Sequence, residues 1–188
     1  MPESHNGIVA VLEAQDLAQR SLSSDMVAVL FAAAGPLTLA EVARALDATP
    51  EEVESTFEQL LHEPPPGLSV QRHADQLQLV TAPASAHAVE RLLGAPPPAR
   101  LSRAALEALA IIVYRQPVTR GEIDSVRGVN SDSAVSTLLG RGLVAEVGRR
   151  ETVGRPALLG TTPECLHYLG IGCLEQLPGL AAQAAADE

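Results

Sequence analysis

What this sequence lacks narrows its function before any motif is read. It has two cysteines in 188 residues, Cys165 and Cys173, eight positions apart with no second pair. That excludes a disulfide framework and a zinc knuckle, and the expectation is two idle or buried thiols. No run of 18 apolar residues occurs, and the opening "MPESHNGIVAVLEAQ" has neither the basic n-region nor the small-residue cleavage pattern of a secretory signal. A cytoplasmic protein without membrane contact is expected. Lysine is absent, all thirteen cations being arginine, and no function is read from that bias. The phosphate-cradling patterns GxGxxG and GxxxxGK[ST] are missing. His5, His62, His73, His87 and His167 share no ligand spacing, and no serine or threonine sits in a recognisable nucleophile–histidine–carboxylate motif. Neither an enzyme, a metal site nor a cofactor is expected.

What is present is acid and apolar surface. Hydrophobic residues make up 46% of the chain, ample for a core, and the formal net charge is −10. The charge is uneven: residues 1–96 hold thirteen acidic side chains against four arginines, whereas residues 97–170 hold seven against nine. Between them "GAPPPAR" has the consecutive prolines of a stiff linker. The expected organisation is a flexible N-terminal extension over 1–21, a first domain over 22–94, a proline-rich linker over 95–100, a second domain over 101–171 and a disordered tail over 172–188.

The two domains repeat one another. "GPLTLAEV" (Gly35 to Val42) superposes on "QPVTRGEI" (Gln116 to Ile123) at an offset of 81, and "LVTAP" (Leu79 to Pro83) on "LGTTP" (Leu159 to Pro163) at 80. Thr38 with Glu41, Thr49 with Glu52, and Thr119 with Glu122 have the T-x-x-E spacing of a capping box, so each marks a helix start. Ser102, Ser131 and Thr162 read as further caps. Behind these starts, apolar stripes at helical spacing (Leu39, Val42, Ala43, Leu46; Val53, Phe57, Leu60, Leu61; Leu106, Leu109, Ala110, Val113) predict buried faces. "LSVQRHADQLQLVTA" alternates at period two about Ala74-Asp75, which predicts a hairpin; "LVAEVGRR" and "PALLGTT" predict a second one with the longer basic turn "ETVGR". Three helices, a hairpin and a short helix give a mainly α, α+β architecture of two tandem winged-helix domains.

A winged helix that binds DNA lays its third helix in the major groove with cations toward the phosphates. Here the first candidate carries Glu51, Glu52, Glu54 and Glu58 and no arginine, and the second carries Asp132 and one terminal arginine. DNA contact is therefore expected to be at most indirect. The rival reading, a transcriptional regulator, would rest on the basic wing of Arg149, Arg150 and Arg155.

The stretch "LEALAIIVYRQPVTRGEIDSVRGVNSDSAVSTLLGRGLVAEVGRRETVGRPALLGTT" strongly resembles the segregation and condensation protein B family, closely over Leu101 to about Ile171 and more loosely from Met26 to Gly94. The resemblance implies a non-enzymatic accessory subunit that dimerises through its first domain and is associated with the nucleoid. Its second domain would bind the kleisin subunit, of segregation and condensation protein A type, and through it the SMC ATPase. Matching the family's motifs are Tyr114, Arg115, Gln116 and Pro117 at a helix end, Arg127 to Ser131 in a turn, and Gly154, Arg155 and Pro156 in the wing. The expected partner-binding residues are Arg115, Gln116, Arg127, Asn130, Ser131, Gly154, Arg155 and Pro156. Competing structural readings stand beside three of the matched residues: Gly128 ending a helix, where a left-handed residue is wanted, Arg127 covering a helix end, and Tyr114 belonging to the core. Leu159, Cys165 and Leu169 stand where the family favours aromatics.

Overall fold

The computed structural model describes residues 22–33, 35–94 and 100–179; the N-terminal extension, most of the proline linker and residues 180–188 lie outside them. The chain divides into two compact units, 1–85 and 86–188.

The first unit runs from α1 (residues 22–32) through β1 (Leu37–Thr38), α2 (Leu39–Leu46) and α3 (Pro50–His62) to a hairpin of β2 (Leu68–His73) and β3 (Gln76–Thr81). The helix starts are chemical. Thr38 accepts from the Glu41 amide while the Glu41 carboxylate takes the Thr38 N–H at 2.8 Å, and Thr49 with Glu52 repeats the arrangement at the same distance. Each such cap contributes about 1 kcal/mol. Ala74, at φ 55°, and Asp75 make the two-residue turn of the hairpin. β1 returns to pair with β3, Leu37 opposite Leu77, giving the sheet order β1-β3-β2. The core beneath is Met26, Leu30, Val42, Val53, Phe57, Leu60, Val70 and Leu77. Arg72 lies 5.2 Å from the Phe57 ring centroid and pairs with Glu54 and Glu58, so its stem roofs the core while its charge is neutralised.

The second unit opens with α4 (Ala86–Leu93), which has no buried residue. It then repeats the plan: α5 (Arg103–Arg115), β4 (Val118–Thr119), α6 (Arg120–Arg127), α7 (Asp132–Gly140), β5 (Val144–Arg149) and β6 (Ala157–Thr161), followed by α8 (Pro163–Leu169). Sheet order is β4-β6-β5, and Thr119 with Glu122 forms the third capping box. Its core joins Leu109, Ile112, Val118, Ile123, Val135, Leu138, Val144 and Leu159 with Cys165. Two winged helices in tandem, mainly α with small antiparallel sheets, are what the periodicities predicted.

Three expectations are corrected. α5 is apolar almost all round, so its sequence does not fix its phase. The buried face is Ala105, Ala108, Leu109, Ile112 and Val113, with Leu106 and Ala110 turned outward. Ser131 occupies the cap position of α7 but makes no side-chain cap bond; Asn130 Oδ1 accepts from the Asp132 amide at 3.0 Å instead. The predicted tail is not a tail over its first part. Leu174 and Leu177 pack on the second core, Cys173 is buried, and Tyr114 donates its hydroxyl to the Pro178 carbonyl at 2.8 Å. The apolar residues of "GCLEQLP" bury themselves, which polar tail composition would not allow.

Candidate functional site

The residues singled out by sequence fall into two groups within the second unit. In the first group, Arg127 ends α6, at whose C-cap Gly128 takes φ 71°. Its side chain is only 8% exposed. The guanidinium donates to Glu107 of α5 through Nη2 at 3.2 Å and Nε at 3.4 Å, and through Nη1 to the Ser131 hydroxyl at 2.9 Å. The Ser131 amide in turn donates to Asp124 at 2.7 Å. Arg103 also donates to Glu107, and the two arginines together, Arg103 first, hold its carboxyl below the usual glutamate range. Asn130 caps α7 and donates to Asp132, whose carboxyl is lowered by that bond and by Arg120. This group is a brace joining α5, α6 and α7, with its polar atoms turned on one another.

The second group lies around the wing. Gln116 follows α5, and its peptide bond to Pro117 is cis. Its Oε1 accepts from the Thr161 amide at 2.6 Å and the Thr161 hydroxyl at 2.9 Å, tying the end of α5 to β6. Arg115 beside it is exposed. The wing loop spans residues 150–156 between β5 and β6, and the Arg150 amide closes its neck on the Pro156 carbonyl at 3.0 Å. The Arg155 amide donates to Thr152 at 2.9 Å, and Arg155 sits at φ 40° next to Gly154 at φ 84°. A positive φ is unusual for an arginine, and Arg155 is exposed on this loop.

Sequence reasoning missed two residues of this second group. The ladder slips between Glu146 and Gly148, so Val147 faces no residue on β6, and it is 57% exposed. It lies over buried Gly160: a Cβ there would come within 2.8 Å of Val147 Cγ1 and 3.3 Å of Gln116 Oε1. Gly160 is thus what lets Val147 and Gln116 share one spot. The only sequence signal was a glycine inside a strand, which marks a bulge or close approach.

The charges matter as much as the positions. Arg103, Arg120, Arg127, Arg149 and Arg150 all meet carboxylates of their own unit. Arg150 reaches Glu122 at 2.7 Å, and that carboxyl is lowered first by its bonds to Thr119 and then by Arg150. Arg155 meets no carboxylate among the described residues. On the helices that would enter a major groove, neither α3 nor α7 exposes an arginine: the exposed residues are Pro50, Glu51, Glu52, Ser55, Glu58 and His62 of α3 and Asp132, Ser133, Ser136, Thr137 and Gly140 of α7. No group of His, Cys, Asp and Glu among the described residues is placed to hold a metal. Burial pushes the Cys165 thiol up to about 11, which leaves it inert. No helix among the described residues is long and apolar enough to cross a membrane.

Fold and site together define a tandem winged-helix protein whose second wing presents an exposed arginine, Arg155, that meets no carboxylate among the described residues. Residues 24–180 match the model of the segregation and condensation complex subunit ScpB, and the chain belongs to that family. It is 43% identical over 171 residues to a segregation and condensation protein B of Moorella thermoacetica, covering 89% of this chain and 87% of that protein. A homologue of the same name from Geobacillus kaustophilus is 42% identical over 167 residues, covering 87% and 77%. The solved structure of ScpB from Mycobacterium tuberculosis aligns with 33% identity over 81% of this chain and 97% of that one, at a TM-score of 0.39.

Proposed function

We propose that this chain is a non-enzymatic accessory subunit of an SMC–kleisin complex, acting in chromosome condensation and segregation by gripping the kleisin with its second unit. The observation that carries the reading is Arg155: exposed on the wing loop, at a left-handed backbone position, and without a carboxylate of its own unit among the described residues. A planar guanidinium so placed suits a carboxylate on an acidic partner segment. Family membership supports assembly into a segregation and condensation complex. Against the regulator reading stand the α3 and α7 faces and the five arginines already neutralised within the second unit, since DNA affinity is built from many free cations.

The first unit is read as the dimerisation module. Of the two phenylalanines, Phe57 is fully buried while Phe31 on α1 is 76% exposed, beside exposed Ala28 and Ala32. Phe31, Ala28 and Ala32 form an apolar strip on α1 next to exposed Ser24 and Asp25, and such a strip fits a second copy of itself. In the test of the kleisin reading, Arg155→Ala weakens binding of the cognate kleisin at least about tenfold, some 1.4 kcal/mol, with thermal stability unchanged. Wild-type affinity in that variant removes the wing from the contact, and unfolding assigns Arg155 to structure.

A further inference from the structure

We propose that the segment after α8, residues 171–178, is a strap that fixes the corner where α5 meets Pro117, and that Tyr114 is the residue through which it positions Arg115 for the partner. The proposal rests on the kleisin reading above and deepens it. The strap begins where Gly170 ends α8 at φ 70°, and the chain turns back with the Ile171 amide on the Leu166 carbonyl at 3.1 Å. It then holds itself. Gln176 Oε1 accepts from the Gly172 amide at 2.7 Å, the Leu177 amide closes on the Leu174 carbonyl at 3.1 Å, and both leucines pack on the second core while Cys173 is buried. Its last link is the Pro178 carbonyl, which receives the Tyr114 hydroxyl at 2.8 Å across 64 positions.

Packing alone does not call for that hydroxyl. A phenyl ring would sit against the core as the Tyr114 ring does, so what the oxygen adds is the tie to the strap. On the other side of Arg115 stands a second tie, Gln116 Oε1, which accepts from the Thr161 amide and hydroxyl of β6. Between them the helix runs out: the Gln116 amide bonds the Ile112 carbonyl at 2.9 Å, and Pro117 has no N–H to extend the ladder. Arg115 is exposed between these two tied residues. A guanidinium that forks onto a partner carboxylate gives up less freedom on binding when the backbone beneath it is already fixed. The strap thus contributes preorganisation rather than contact.

The test measures binding of the full chain to labelled cognate kleisin together with the initial rate of alkylation at each cysteine. Cys173 is 3% exposed and burial pushes its thiol up, so it reacts when the strap lifts, whereas Cys165 in the core reports global unfolding. Tyr114→Phe speeds alkylation of Cys173 but not of Cys165, and weakens kleisin binding about threefold, within what one net hydrogen bond supports. That loss of binding disappears in an Arg115→Ala background, which a purely structural role for the hydroxyl would not bring about. Saturating kleisin in turn slows Cys173 alkylation, because coupling between the corner and the strap is reciprocal. Wild-type affinity in Tyr114→Phe, with Arg115→Ala impaired, overturns the strap and spares the kleisin reading. An equal loss from Tyr114→Phe in both backgrounds, wild-type affinity in Arg115→Ala, or a Cys173 rate untouched by kleisin also overturns the proposal. Failure of the wild-type chain to bind kleisin overturns both.

Discussion

The first and second winged helices share a scaffold and differ in what they do with its edges. Both open their second helix with the same capping box, Thr38 with Glu41 and Thr119 with Glu122, and both return a two-residue strand to a hairpin. The first hairpin closes in two residues, Ala74 and Asp75; the second carries the 150–156 wing. The first unit roofs its core with Phe57 and Arg72, and its third helix is acidic. The second has no phenylalanine and braces three helices with Arg127 and Glu107. The difference teaches that the two halves keep the capping boxes and the pattern of buried positions in common, while the loops and outward faces diverge.

The sharpest break in that comparison is Phe57→Ala. Removing a buried phenylalanine costs about 3–5 kcal/mol, and here it also removes the ring under Arg72. Denaturant unfolding will show the first unit melting early while the second retains its transition. The companion change Phe31→Ala, at an exposed site, shifts unfolding by no more than about 0.5 kcal/mol yet moves sedimentation from dimer toward monomer. A dimer of unchanged strength would remove α1 from the interface.

Arg127→Ala is expected to destabilise the second unit by about 1–3 kcal/mol, since it strips charge-assisted bonds from Ser131 and Glu107. Any loss of kleisin binding will then follow the loss of stability, in contrast to Arg155→Ala. Equal stability to wild type would show that the brace is dispensable. The smallest effect is in acid. Glu41 and Glu52 in the first unit, and Glu107, Glu122 and Asp132 in the second, have carboxyls lowered from ordinary values of 4.5 for glutamate and 3.8 for aspartate. A depressed folded pKa adds stability that is complete above the unfolded value and disappears as pH falls through the folded one. Below about pH 4.5 both units therefore weaken, the second with one more group involved, and thermal melts between neutral and acid pH will resolve the order.

Much of this was legible in the chain because it is local. A Thr-x-x-Glu box is satisfied within one turn, and a period-two run folded about Ala74-Asp75 needs only its neighbours. The phase of α5 was not legible, because a helix rich in alanine, leucine, isoleucine and valine offers several faces to a core and packing chooses among them. Nor was the brace: the Arg127–Glu107 contact spans 20 positions, so the motif around Arg127 allows both a partner contact and a helix-end cover, and nothing in it points to Glu107. Val147 and Gly160 escaped for the same reason, each being ordinary until the strands are paired.

Glu122 has a consequence that its counterpart Glu41 lacks. One of its oxygens, Oε2, receives the Thr119 N–H and hydroxyl at the start of α6, while the other, Oε1, holds Arg150 at the root of the wing. A two-residue turn needs no mooring, but a longer loop does. Because one carboxylate serves both, fraying of the first turn of α6 and release of the wing draw on a shared opening equilibrium. Whatever steadies the wing from outside then also steadies the helix, and a partner seated there would be felt as slower amide exchange at the α6 start, which it never touches.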